Sequence, residues 1–178
     1  MTPEKRVELV SAIKQCFFDG MSHGWASGAK AIRDFPFRGA RGYEFKPSMG
    51  ESNRFLGYLT LLDYFFVNSE TPTSYGTTVI LYCGNPVWLM NYGGWYKEEA
   101  IKPVQEALME NYRNSISWGG RGLAVYIHNS KVSGYSIKYK NEFFGDFSIF
   151  KGVENVSAIN AEETLGIGEH SYSGGLLI

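Results

Sequence analysis

Three runs, Tyr58–Val67 (YLTLLDYFFV), Tyr75–Cys83 (YGTTVILYC) and Val87–Tyr92 (VWLMNY), decide the fold. All are dense in aromatic and β-branched residues, the types that fit a pleated, half-buried surface. Cys83-Gly84-Asn85-Pro86 between the second and third is a turn signal, so Val87–Tyr92 returns as the second arm of a hairpin. Gly93-Gly94 is expected to break that arm.

Downstream, Ile101, Val104, Leu108 and Tyr112 share one face of a helix near 97–113, with Glu98, Glu99, Glu106 and Glu110 outside. Pro103 falls either in its first turn or at a kink. Trp118-Gly119-Gly120-Arg121-Gly122 ends this segment. Strands resume at Leu123–His128 and Val132–Tyr139 around an Asn129-Ser130-Lys131 turn, followed by Phe143–Phe150, Val153–Ile159 and Ile167–Leu177. Upstream, Thr2-Pro3-Glu4 starts a helix, Val7, Val10, Ile13 and Phe17 form its apolar face, and Gly20 is expected to stop it. Residues 20–54, rich in glycine, arginine and aromatics, read mostly as loop with a short turn near Ala29–Arg33.

The expectation is one α+β domain over 1–178: a curved, mainly antiparallel sheet of seven to nine strands with two α-helices packed against it. Strand runs separated by only two helices exclude a doubly wound parallel fold. Gly76-Thr77-Thr78-Val79-Ile80, leading to Tyr92-Gly93-Gly94, echoes Gly152-Val153-Glu154-Asn155-Val156, leading to Tyr172-Ser173-Gly174. The favoured reading is two hairpins with ordinary punctuation rather than a duplication.

Composition fits that architecture. The chain has 178 residues, with 12 Phe, 12 Tyr, 4 Trp and 21 Gly, and a formal net charge of -1. Disordered and collagen-like chains are excluded by the aromatics and by the lack of a glycine period. Cys16 and Cys83 make no disulfide framework and are expected to be buried, reduced thiols. The charged N-terminal helix lacks the apolar core of a signal peptide, and Leu56–Val67 is too short to span a membrane. The expected location is the cytoplasm, as a monomer or homodimer.

Pro86-Val87-Trp88-Leu89-Met90-Asn91-Tyr92-Gly93-Gly94, Gly145-Asp146-Phe147, Phe150-Lys151-Gly152-Val153-Glu154 and Tyr172-Ser173-Gly174-Gly175-Leu176 are the distinctive strings. In this order, and from about residue 7 to the end, they resemble an uncharacterised bacterial domain family. That family occurs alone or fused behind an Xre/Cro-type helix-turn-helix in regulators. The resemblance implies a sensing or interaction module. This chain departs from the fused type, since one helix before the glycine-rich stretch is too little for a helix-turn-helix reader. Its Ile159–Ile167 segment is also longer and more acidic than the family pattern.

Candidate chemistry is sparse. His23, His128 and His170 show no metal-ligand spacing, and no metal or cofactor is expected. Asp63, which interrupts an apolar strand, and Asp146 would form an acid–base pair or bind a cation if brought into one cleft. Otherwise each bonds a neighbouring backbone group or tyrosine hydroxyl. Arg121 in a glycine-rich turn suggests a nest for an anion, against the plainer reading of a helix end entering a turn. Arg33, Arg38 and Arg41, interleaved with Phe35, Phe37, Tyr43 and Phe45, suggest an anion or nucleic-acid surface, although the near-neutral chain disfavours nucleic acid. Trp25, Tyr58, Tyr64, Trp88, Tyr92 and Arg121 are the expected lining of a concave ligand face.

The function expected is a non-catalytic ligand-binding or regulatory module, with a small molecule or a protein as partner. The alternative is an enzyme acting on a nucleotide or other small anion through Asp63 or Asp146 with Arg121. A third possibility is a structural partner that dimerises through a sheet edge.

Overall fold

The computed structural model describes residues 1–48, 53–116, 121–129, 135–160 and 163–178. The Thr2 hydroxyl caps the first helix, α1 (Pro3–His23), by accepting a hydrogen bond from the Lys5 N–H. Its buried face carries Leu9, Ala12, Ile13, Cys16, Phe17 and Met21, whereas Val7, expected on that face, is exposed. Gly20 does not stop the helix. It lies buried within it, where a Cβ would come within 2.9 Å of Leu61 and 3.1 Å of Phe45, so the glycine lets α1 settle onto the sheet. After a 3₁₀ turn at Trp25–Ser27, the stretch expected to be mostly loop contributes two short strands, β1 (Ile32–Arg33) and β2 (Arg41–Phe45).

The deciding runs become β3 (Leu59–Val67), β4 (Thr73–Tyr82) and β5 (Asn85–Tyr96). Gly93-Gly94 lies inside β5 and does not break it, because the Tyr75 ring fills the space over Gly93 and the backbone of β9 (Thr164–Leu176) presses against Gly94. α2 (Glu98–Asn114) holds Pro103 beyond its first turn, on the buried side. β6 (Val125–Asn129), β7 (Ser136–Asp146) and β8 (Ile149–Ile159) complete the strands. Phe143–Phe150, expected as one strand, is split by the turn between β7 and β8. Gly145 there takes a φ of 98°, and the Asp146 carboxylate accepts the Ser148 N–H at 2.7 Å. Trp118-Gly119-Gly120, most of the Asn129–Lys131 turn and the start of Val132–Tyr139 lie outside the described residues.

Among the described residues, nine strands form one antiparallel sheet in the order β1-β2-β3-β4-β5-β9-β8-β7-β6, with two α-helices packed on it. That order has a two-fold logic. α1 followed by β2 to β5, and α2 followed by β6 to β9, are the same succession of a helix and a four-strand meander. The two meanders meet where β5 pairs with β9. At this seam Tyr92 faces Tyr172. Tyr92 also faces Gly76, which faces Phe65, and Tyr172 faces Gly152, which faces Phe143. The faint sequence echo is therefore a correspondence of position between two halves, and the reading of unrelated hairpins is corrected. The reason the echo survives is steric. A Cβ at Gly76 would sit 2.5 Å from the Tyr92 ring, and Gly152, Gly168 and Gly122 lie in the same way beneath Tyr172, Tyr96 and Tyr139.

α1 covers β2 to β4, α2 covers the second half, and the helices touch one another. Between them and the sheet runs one core, in which Phe17 meets Trp88 and Tyr112, and Trp88 stacks on Phe147 at 5.2 Å. Trp88 also donates its indole N–H to the Phe147 carbonyl at 3.1 Å. The regular alternation of β8, buried at Phe150, Gly152, Glu154 and Val156 and exposed between, shows which side the helices cover.

Candidate functional site

Where the Trp25 turn and α2 overhang the inner face of the sheet, the core opens into a cavity of about 310 Å³. That is the lower end of the range for small-ligand sites. Its polar groups converge from separate elements: Asp63 on β3, Tyr92 and Tyr96 on β5, His170 on β9, and Arg121 beyond α2. Trp25, Phe65, Leu108 and Tyr112 supply apolar wall, and the exposed residues Arg41, Val67, Thr71 and Pro72 sit at its mouth.

Arg121 is buried and paired. Its Nε donates to Glu154 Oε2 at 2.9 Å, Nη2 lies 2.7 Å from the same oxygen, and the guanidinium carbon stands 5.1 Å over the Tyr92 ring. Glu154 also accepts from the Tyr96 hydroxyl at 2.9 Å and from the Tyr139 hydroxyl. Burial alone would raise the Glu154 carboxyl. The Arg121 charge and hydrogen bond, helped by the Tyr139 hydroxyl, outweigh it and hold the group below the usual carboxylate range. The backbone around Arg121 is clamped as well. Asn111 donates its side-chain amide to the Arg121 carbonyl. The Gly122 N–H donates to the Tyr139 hydroxyl at 3.1 Å, and Asn141 Nδ2 donates to the Gly122 carbonyl at 3.1 Å. Arg121 thus serves an interior ion pair.

Asp63 lacks such a partner. Its Oδ1 accepts from the Thr78 hydroxyl at 2.8 Å and the Tyr92 hydroxyl at 2.9 Å. Among the described residues no Lys, Arg or His lies within ion-pair distance of it. Burial pushes its carboxyl above the ordinary range, against the pull of those two hydroxyls and the more distant Arg121. His170 is 3% exposed and stacks on Tyr96 with ring centroids 4.1 Å apart. Its Nε2 lies 3.4 Å from the Ser74 hydroxyl, while Nδ1 is buried and has no hydrogen-bond partner among the described residues. Burial, then the nearby Arg121 charge, push its pKa down to about 4, so the ring is neutral at physiological pH.

The structure brings Trp25, Tyr92, Arg121, Asp63 and Arg41 to one cavity. It leaves the other expected residues elsewhere. Trp88 is sealed in the core, Tyr58 is exposed beside β3, and Tyr64 points to the opposite face, where Phe37 meets it edge-on at 5.6 Å. Arg33 and Arg38 are exposed away from the cavity. Asp146 belongs to the β7–β8 turn. Neighbouring Gly145 lies in the same row as Asp63 but five strands away across the sheet, so the two acids do not share a cleft and do not act as a pair. Cys16 is buried, with burial pushing its thiol up to about 12, but Cys83 is exposed, contrary to expectation.

Sequence reasoning missed Glu154 and the role of His170. Glu154 shares a strand face with Gly152 and Val156, but Val153 on the other face leaves the sequence without a signal for which face is buried, and its partner Arg121 is distant in sequence. Among the described residues no group of three or more His, Cys, Asp or Glu is arranged to hold a metal ion, and no helix is long and apolar enough to cross a membrane. Comparison with protein families, with curated proteins and with solved structures finds no match to this chain.

Proposed function

We propose that this chain is a small-molecule-binding module that works by recognition rather than catalysis, as a cytoplasmic sensing or interaction unit of a regulatory system. The observation that carries the reading is the convergence of Asp63, Tyr92, Arg121 and His170 on one cavity with aromatic walls. The Arg121–Glu154 pair and its hydroxyl partners fix the shape of the cavity before any ligand arrives, which lowers the ordering cost of binding. The separation of Asp63 from Asp146 weighs against the paired-acid enzyme, and the commitment of Arg121 to Glu154 weighs against an anionic substrate. An exposed free Cys83 fits a reducing compartment. The regulatory association rests on the resemblance carried by Pro86–Gly94 and the C-terminal strings.

The test is a thermal-shift screen of amino acids, amines, sugars and nucleotides, repeated with Trp25→Ala. The expected result is a hit that raises Tm in the native chain and loses most of its effect in the variant. No shift from any compound would overturn the small-molecule reading and leave a protein partner.

A further inference from the structure

The two halves of the chain supply an internal comparison for Asp63. On β3, Asp63 lies two residues before Phe65, and its Oδ1 accepts from the Tyr92 hydroxyl, whose ring crosses Gly76. On β7, Asn141 lies two residues before Phe143, and its Oδ1 accepts from the Tyr172 hydroxyl, whose ring crosses Gly152, at 2.7 Å. The tyrosine hydroxyl is held in the same way in both halves, and in the second a neutral amide oxygen accepts it, while the amide Nδ2 donates to the Gly122 carbonyl. Carboxylate charge at Asp63 is therefore surplus to the fold, and burying it without a cation is costly. Both of its protein hydrogen bonds fall on Oδ1, and the residue lines the cavity, so Oδ2 is the oxygen left to an occupant.

Inward of the exposed Arg41 at its mouth, the interior of the cavity fits one kind of occupant. The positive charge of Arg121 is balanced by Glu154 at 2.7–2.9 Å, whereas Asp63 is the acid lining the cavity that has no side-chain cation within ion-pair distance among the described residues. Trp25, Phe65 and Tyr112 line the same cavity, and aromatic rings together with a carboxylate are the surroundings in which organic ammonium groups bind. Resting on the reading of this cavity as a ligand site, we propose that it takes a small organic cation, an alkyl- or arylammonium compound whose charged nitrogen sits against Asp63 Oδ2 and whose apolar part lies among these rings.

The experiment compares three probes of one shape, benzylamine, benzyl alcohol and benzoate, by calorimetry at neutral pH against the native chain, Asp63→Asn and Trp25→Ala. Asp63→Asn copies the residue that serves the second half, so it is expected to fold, and a melting curve for each variant checks this. The expected result is that benzylamine binds at least about tenfold more tightly than the alcohol, and that Asp63→Asn removes this preference while retaining residual binding of the alcohol. Equal affinity for amine and alcohol, or an amine preference that persists in Asp63→Asn, would overturn the cation assignment. If the alcohol or benzoate binds best and Trp25→Ala weakens it, the cavity remains a ligand site and only the cation assignment falls. Should the screen of the broader library also show no binding, both fall together.

Discussion

Arg121 and Glu154 show how much of the interior depends on single side chains. Each is buried and each is the other's counter-charge, so removing one strands the other in a medium that solvates it poorly. Arg121→Met is expected to cost about 3–5 kcal/mol of unfolding free energy in urea titrations, and Arg121→Met with Glu154→Leu distinctly less than the sum of the two single changes. His170 adds a pH dependence. Folded, it resists protonation until about 4, whereas unfolded it takes a proton near 6.5. A depressed value of this kind leaves stability intact above 6.5 and erodes it as pH falls toward 4, by at most about 3 kcal/mol. Asp63, whose value is raised, works in the opposite direction, so the measurement is the difference between the native chain and His170→Gln across that window. Parallel pH profiles for the two proteins would refute the assignment. Of this cluster, Asp63, Tyr92, Trp25 and Arg121 were legible as interruptions or unusual residues in patterned segments. Glu154 and His170 were not, because strand alternation gives a residue's face but not which distant strand lies beside it.

Strands in this fold are built in complementary pairs, a tyrosine on one and a glycine on its neighbour. Gly76 and Gly152 carry no side chain because a ring from β5 or β9 already occupies the space. Gly76→Ala should therefore destabilise by about 1–3 kcal/mol through overpacking. Gly166→Ala on β9, where nothing lies within 4 Å of the added methyl, should leave the denaturation midpoint nearly unchanged. Equal losses at both positions would mean that backbone freedom, rather than the facing ring, sets the requirement. The same pairing explains which elements a sequence reader finds. Thr2-Pro3, the Cys83–Pro86 turn and the dense β3 and β4 runs carry local signals, and those elements lie where expected. Gly20 and Gly93-Gly94 were read as stops because glycine usually punctuates. Here each is required by a neighbour far away in sequence, Leu61 and Phe45 for Gly20 and Tyr75 for Gly93.

At the scale of the molecule, two helix-and-meander halves share one sheet and one core, with residues from both in continuous contact. Heat or urea should therefore unfold them together, with near- and far-ultraviolet dichroism and tryptophan fluorescence tracing coincident transitions. Separated transitions would show that each half is stable alone. The α+β class and the antiparallel sheet followed from the succession of strand runs. The repeat did not, since it survives in a handful of glycines, tyrosines and phenylalanines whose spacing makes sense only once the strands are paired. The seam also bears on how fast the native state is reached. β5 and β9 adjoin although Tyr92 and Tyr172 are 80 residues apart in the chain, while every other neighbouring pair of strands is consecutive in sequence. Each meander can zip up locally, but the central join must wait for a large loop to close, an entropic toll that grows slowly with length yet comes before any reward. Refolding in milliseconds to seconds, with a rate sensitive to substitutions along β5 and β9 and indifferent to those at β1 and β6, is the kinetic signature that a stopped-flow experiment should find.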